Sequence, residues 1–239
     1  MALNAHQVSV SFGGVHALVD VDLEVAEGKL VGLIGPNGAG KTTFIDAITG
    51  FVRARGRVEL DGRDLSRLAP HERARSGLAR TWQATELFDD LTVGENVAVA
   101  ARSPDDAERA LAGLEALADK LPEQISQGER KLVGVARALA AAPRVVCLDE
   151  PAAGLDANES DQLGRSLRQV VDGGTGMLLV DHDMSLVLSV CDWIVVLEFG
   201  KVIATGTPDD VRRDRRVVEA YLGSAGAEIA AETLDIEAS

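Results

Sequence analysis

Nine residues, Gly35-Pro36-Asn37-Gly38-Ala39-Gly40-Lys41-Thr42-Thr43, constrain what this chain can fold into more than any other stretch. They satisfy the phosphate-loop spacing, in which glycine, four further residues, glycine, lysine and a hydroxyl residue follow one another. The apolar run Lys29–Gly35 precedes them as a buried strand, and Thr42–Ile48 follows with helical spacing and stops at Gly50. Glycines let the backbone curl so that successive N–H groups aim at phosphate oxygens, and the helix N-terminus adds its partial positive charge. In such a loop Lys41 neutralises the β- and γ-phosphates and Thr42 offers its hydroxyl to Mg²⁺. A glycine-rich turn that merely contains a lysine does not account for the strand and helix on its flanks.

A second set of residues narrows the chemistry. Val145-Val146-Cys147-Leu148-Asp149-Glu150 reads as a buried strand ending in two acids. Neighbouring residues on a strand point opposite ways, so the two carboxylates serve different ends. Asp149 is placed for the Mg²⁺ shell and Glu150 for polarising the water that attacks a γ-phosphate. Upstream, Ile125-Ser126-Gln127-Gly128-Glu129-Arg130 opens an apolar-faced helix, where serine is a good N-cap. The same hydroxyl, a glycine N–H and a helix N-terminus also make a second phosphate-binding patch. One γ-phosphate cannot use two distant patches of one monomer, so the patch makes sense in a dimer whose subunits cap each other's nucleotide.

The rest of the chain organises around these motifs. Val8, Val10 and Phe12 alternate with polar residues, Gly13-Gly14 turns the chain, and Val19 to Val25 alternate again; Arg57–Leu60 with the Asp61-Gly62 turn suggests another small strand pair. Val93–Ala101 and Ala107–Leu117 are rich in alanine and leucine and read as a small helical lobe. Strand–helix alternation then resumes: helix Glu129–Ala141, strand Arg144–Leu148, helix Glu159–Val171, strand Met177–Val180, helix Met184–Val190 and strand Trp193–Leu197. This predicts an α/β fold with a mainly parallel sheet covered by helices. Trp193, Cys147 and Cys191 are expected in the core, and Trp82 divides evenly between core packing and contact with a partner. One domain over 1–222 with an inserted helical piece at 84–128 is expected, and the stretch 223–239, with four acids and no bases, reads as a solvated tail.

Composition excludes other classes. With 24 basic and 38 acidic residues the net charge is −14, which argues against a chain built to hold nucleic acid on a basic face. Two cysteines make no disulfide framework and suit a reducing compartment. No secretory signal is visible, and the most apolar stretch, Lys131–Leu148, is interrupted by Lys131, Arg137 and Arg144, so no segment reads as membrane-spanning. Asp181-His182-Asp183 splays along an extended segment and is a poor metal cluster.

In this order the motifs resemble those of the ATP-binding subunits of ABC transporters: the phosphate loop, Ser126-Gln127-Gly128-Glu129, Asp149-Glu150, Pro151-Ala152-Ala153-Gly154-Leu155-Asp156, and His182 after a later strand. The resemblance runs from about Leu3 to Gly223. It implies a P-loop NTPase fold: a RecA-like core, an N-terminal antiparallel β subdomain and a short inserted α-helical subdomain. It also implies ATP and Mg²⁺ as cofactors, with Phe12 stacking on adenine, Gly35 to Thr43 cradling phosphate, and Thr42, Asp149 and Gln83 meeting Mg²⁺. Glu150, His182, Gln83 and Lys41 would act in hydrolysis, His182 as the switch that contacts the γ-phosphate. Ser126, Gln127, Gly128, Glu129 and Asp156 would serve the nucleotide across a dimer. The implied partners are a second such ATPase subunit, identical or not, integral-membrane permease subunits and, indirectly, a solute-binding protein. The implied location is the cytoplasmic face of the membrane. Gln127 departs from the glycine most members carry, and the lobe is short. Phe12–Leu18, Ala79–Gln83, Leu91–Asn96, Val180–Met184, Gly206–Pro208 and Ala220–Gly223 resemble the branched-chain amino acid importer branch, with the lipopolysaccharide-export ATPases as near neighbours.

Overall fold

A computed structural model of the chain describes residues 2–82 and 86–222. Gln83 and the stretch 223–239 lie outside the described residues. The opening strands β1 (Leu3–Phe12) and β2 (Val15–Val25) form an antiparallel hairpin. β3 (Leu30–Ile34) is buried throughout and leads through the glycine loop into α1 (Lys41–Thr49), which ends on Gly50 as expected. β4 (Arg55–Leu60) and β5 (Arg63–Asp64) complete a sheet of order β2-β1-β4-β5.

Next come α2 (Pro70–Arg75) and β6 (Leu78–Arg80), two short elements that the periodicity does not announce. Arg73 gives α2 its place: its buried guanidinium donates to the Ala47 and Ile48 carbonyls at 3.0 and 2.7 Å. A cation there meets the partial negative charge at the C-terminus of α1. The lobe holds α3 (Val93–Ala98) and α4 (Pro104–Ala110), then single 3₁₀ turns. The second lobe helix is therefore shorter than the sequence suggests, because Leu111 closes it and Gly113 turns the chain at φ 83°.

After the lobe, α5 (Gln127–Ala140), β7 (Val145–Asp149), α6 (Ala157–Asp172), β8 (Gly176–Val180), α7 (Met184–Val190) and β9 (Trp193–Glu198) follow the expected alternation. β10 (Lys201–Gly206), α8 (Pro208–Arg213) and α9 (Arg215–Leu222) close the described chain. The second sheet has the order β10-β9-β3-β8-β7-β6, parallel except for the antiparallel β10 edge. Alternate residues of its strands enter different cores. Val145, Cys147, Leu178 and Val180 face the core shared with α1 and the antiparallel sheet, whereas Val146, Leu148, Met177 and Leu179 face the core shared with α6 and α7. α5 joins the lobe to the body, since Val133, Ala136 and Ala140 pack with Val93 and Val97 while Val135 enters the second sheet core.

The two cysteines are buried as expected, and burial pushes the Cys147 thiol up to about 12. Trp193 departs from expectation. Ile194 to Leu197 are core, but Trp193, the first residue of β9, is 43% exposed.

Candidate active site

The strand order brings the motifs together. β3, β8 and β7 are adjacent and parallel, so the residues that follow their carboxyl ends share one edge of the sheet. Ligands of open α/β sheets bind at that edge. Gly35 follows β3, Glu150 follows β7, and Asp181 and His182 follow β8.

The loop is held in place from outside. Gly35 sits at φ 151°, and a Cβ there would lie 2.1 Å from the Leu197 carbonyl oxygen, so no other residue fits. Its N–H donates to the Tyr221 hydroxyl on α9. Gly200 donates its N–H to Ala39 O at 2.9 Å and accepts from Val19 N at 2.9 Å, which ties the loop to the β1–β2 hairpin. Phe12 lies at the tip of that hairpin, 52% exposed and available for stacking, so it is not core. Lys41 is buried and donates to the carbonyls of Gly35 and Pro36 at 2.7 and 3.1 Å. Burial pushes its ammonium down, against the pull of Glu150 and Asp149.

Six of the described helices are closed by a side-chain cap at the N-terminus. Thr92, Ser103, Ser126, Asp156, Asp183 and Thr207 each accept from an N–H in the first turn of their own helix. α1 begins at Gly40 with no side-chain cap, which leaves the first-turn N–H groups to an anion from outside. This cradle fits a phosphate. The hydroxyl of exposed Thr42 and the carboxylate of Asp149 are hard oxygen donors, the type that suits Mg²⁺.

Asp149 is 4% exposed at the end of β7, with its N–H bonded to Thr81 Oγ1 at 3.2 Å. Burial raises its carboxyl, which the nearby Arg80 guanidinium opposes. Glu150 turns the chain sharply at φ 49°, a conformation uncommon outside glycine, and its N–H donates to Val180 O at 2.7 Å. That bond clamps the turn to β8. His182 Nδ1 stands 4.0 Å from Glu150 Oε2, so the structure brings these two predicted residues together.

Asp181, to which the sequence assigns no role, is fully buried and accepts from the N–H groups of Ala152, His182 and Asp183 at 2.9, 2.8 and 3.0 Å. It locks the turn after Glu150 to the segment that carries His182. Lys131 on α5 donates to the carbonyls of Glu150 and Ala153, linking the same turn to the lobe helix. No sequence motif signals Lys131, and Tyr221 entered only through the closing Ala220–Gly223 resemblance, with no role attached.

The Ser126 patch lies at the start of α5. Ser126 Oγ accepts from Glu129 N at 3.1 Å, and Glu129 Oε2 accepts from Ser126 N at 2.7 Å, a reciprocal cap. Ser126 and Gln127 are exposed and Gly128 is buried. A Cβ on Gly128 would lie 2.5 Å from Glu159 Oε1, at the start of α6, whose cap is the exposed Asp156. A cleft of about 570 Å³ runs between β6 and α5, with Phe51, Arg80, Trp82, Lys131, Asp149 and Glu150 in its wall. Trp82 is 51% exposed there, which decides against core packing.

A phosphate loop beside an acid-ended strand, at the carboxyl edge of a parallel sheet, defines a P-loop NTPase. The family model described as ABC transporter matches residues 18–153, over half of the chain, and the one described as Branched-chain amino acid ATP-binding cassette transporter matches residues 201–227. The chain is 35% identical over 250 residues to the high-affinity branched-chain amino acid transport ATP-binding protein BraF of Pseudomonas aeruginosa, covering 93% of this chain and 98% of that protein. It is 37% identical over 233 residues to the lipopolysaccharide export system ATP-binding protein LptB of Haemophilus influenzae, covering 92% and 97%. A solved nucleotide-free ATP-binding cassette from an ABC transporter matches with a TM-score of 0.84 at 29% identity, over 93% of this chain and 99% of that one. The chain therefore belongs to the ABC transporter family as an ATP-binding cassette, an ATPase of the kind that powers transport by hydrolysing ATP.

Proposed function

We propose that this ATPase powers import of a branched-chain amino acid or a related small solute. The observation that carries this reading is the match of residues 201–227 to the branched-chain amino acid cassette model. An export reading is the alternative, and the identity to LptB favours it.

In the proposed cycle two subunits close on two Mg·ATP, each subunit's loop facing the other's Ser126 patch. Phe12 stacks on adenine, Gly35 to Thr43 cradle the phosphates, and Lys41 leaves its loop carbonyls for the γ-phosphate. Thr42, Asp149 and Gln83 hold Mg²⁺, which when bound supplies charge neutralisation at the phosphates. Glu150 takes a proton from the attacking water, and His182, beside it, contacts the γ-phosphate. Ser126, Gln127, Gly128 and Glu129 grip the partner's γ-phosphate, with Asp156 reaching across. ATP favours the closed pair only through these contacts, which are absent from the open state, and phosphate release removes the difference. The inserted lobe 84–128 passes the motion to a permease seated at the cytoplasmic face of the membrane. Among the described residues no helix is long and apolar enough to cross a membrane.

Affinity capture of the tagged chain from detergent-solubilised native membranes tests this reading. Import predicts polytopic permeases together with a solute-binding protein. Recovery of an export assembly without a binding protein overturns import, and recovery of no membrane protein overturns transport.

A further inference from the structure

Arg80 ends β6 with 7% of its side chain exposed, and the chemistry above gives it no task. One face of its guanidinium serves the site. Nη1 donates to Asp46 Oδ1 at 2.6 Å and to Thr49 Oγ1 at 3.3 Å, both on α1, and Nη2 lies 3.5 Å from Asp149 Oδ2. Its other neighbours belong to the cleft: the guanidinium carbon is 4.0 Å from the Trp82 ring centre and 5.4 Å from that of Phe51. Those rings meet edge to face at 4.9 Å.

We propose that Arg80 is a positioning residue that orients the Asp149 carboxylate from the aromatic wall of the cleft. The terminal torsion of an aspartate is broad and has no strong preference of its own, so an outside partner decides it. Arg80 faces Oδ2 and so sets how the carboxylate is turned. A planar guanidinium held by stacking and by α1 cannot move without moving what it holds. Displacement of Trp82 by a partner in the cleft therefore turns Asp149, and a metal on Asp149 is felt at Trp82, since coupling between two sites is reciprocal. The proposal rests on Asp149 being a Mg²⁺ ligand.

The test uses the full chain carrying Trp193→Phe, which leaves Trp82 as the single tryptophan. Trp82 emission and ATP affinity are measured with excess Mg²⁺ and with EDTA. Mg·ATP is expected to shift the emission where ATP in EDTA does not. Arg80→Gln should abolish that shift and lower the preference for Mg·ATP over ATP in EDTA about tenfold, with affinity in EDTA changed less than about twofold. Arg80→Lys keeps the charge but loses the planar fork, and is expected to lose the shift too while melting near the parent temperature. If Arg80 acted on the metal only as a repelling charge, Arg80→Gln would raise the Mg²⁺ preference. That rise, or an unchanged Trp82 response in both variants, overturns the proposal. Asp149→Asn separates the two readings. An intact Mg²⁺ preference there sinks the metal-ligand reading itself, whereas a weakened one beside an intact preference in Arg80→Gln sinks the proposal alone.

Discussion

Tyr221 shows how a residue outside every chemical motif can control one. Its hydroxyl accepts from the buried N–H of Gly35, the hinge between strand and loop. Burial pushes the phenol up to about 12, so it stays protonated across the working range. Tyr221→Phe removes the acceptor alone, and an orphaned buried N–H costs about 1–3 kcal/mol. Urea unfolding should register a loss of that size, and KM for ATP should rise more than kcat falls. An unchanged KM would leave Tyr221 a packing residue. The residues that touch nucleotide in our account were legible because their chemistry demands particular types at particular spacings. Gly35, Lys41, Asp149 and Glu150 are of this kind. Those that hold them, Asp181, Lys131, Arg80 and Tyr221, were not, because a brace needs only a polar atom in the right place and leaves no spacing to read.

At the scale of elements, legibility followed length and periodicity. α5, α6, α7 and the strands between them were readable because each carries a full apolar face. α2 and β6 were not, since they depend on partners distant in the chain. Arg73 on the α1 carbonyls illustrates this for α2. The junction of β3, α6 and β9 gives a pH test. Burial alone would push the Asp192 carboxyl up, but the Leu30 N–H and Arg168 outweigh it and hold the group below its ordinary value of 3.8. A carboxylate with a lowered folded pKa contributes stability above its unfolded pKa and loses it as pH falls through the folded one. The stability gap between the parent and Asp192→Asn should therefore be constant from about pH 5 to 8 and close below about pH 4. A gap that widened on acidification would contradict this assignment.

For the whole molecule, the fold class followed from strand–helix alternation, while the strand order that makes the site did not. Only the structure shows that β8 lies between β3 and β7 and so delivers His182 to Glu150. Both thiols are buried and raised by burial, so they should resist a thiol reagent such as DTNB until unfolding and then react together. Early reaction of Cys147 would mean that the sheet opens locally, and of Cys191 that the end of α7 does. The proposal that Ser126 caps a second subunit's nucleotide implies that a complete site needs two subunits. Glu150→Gln should keep ATP bound while turnover falls about 10²–10⁴-fold, as expected on loss of a general base. Light scattering of Glu150→Gln with Mg·ATP, on a chain of 25.2 kDa, is the most direct measurement. Twice the monomer mass is expected with Mg·ATP and the monomer mass without nucleotide. A monomer at saturating Mg·ATP would contradict a site completed by a second copy of this chain.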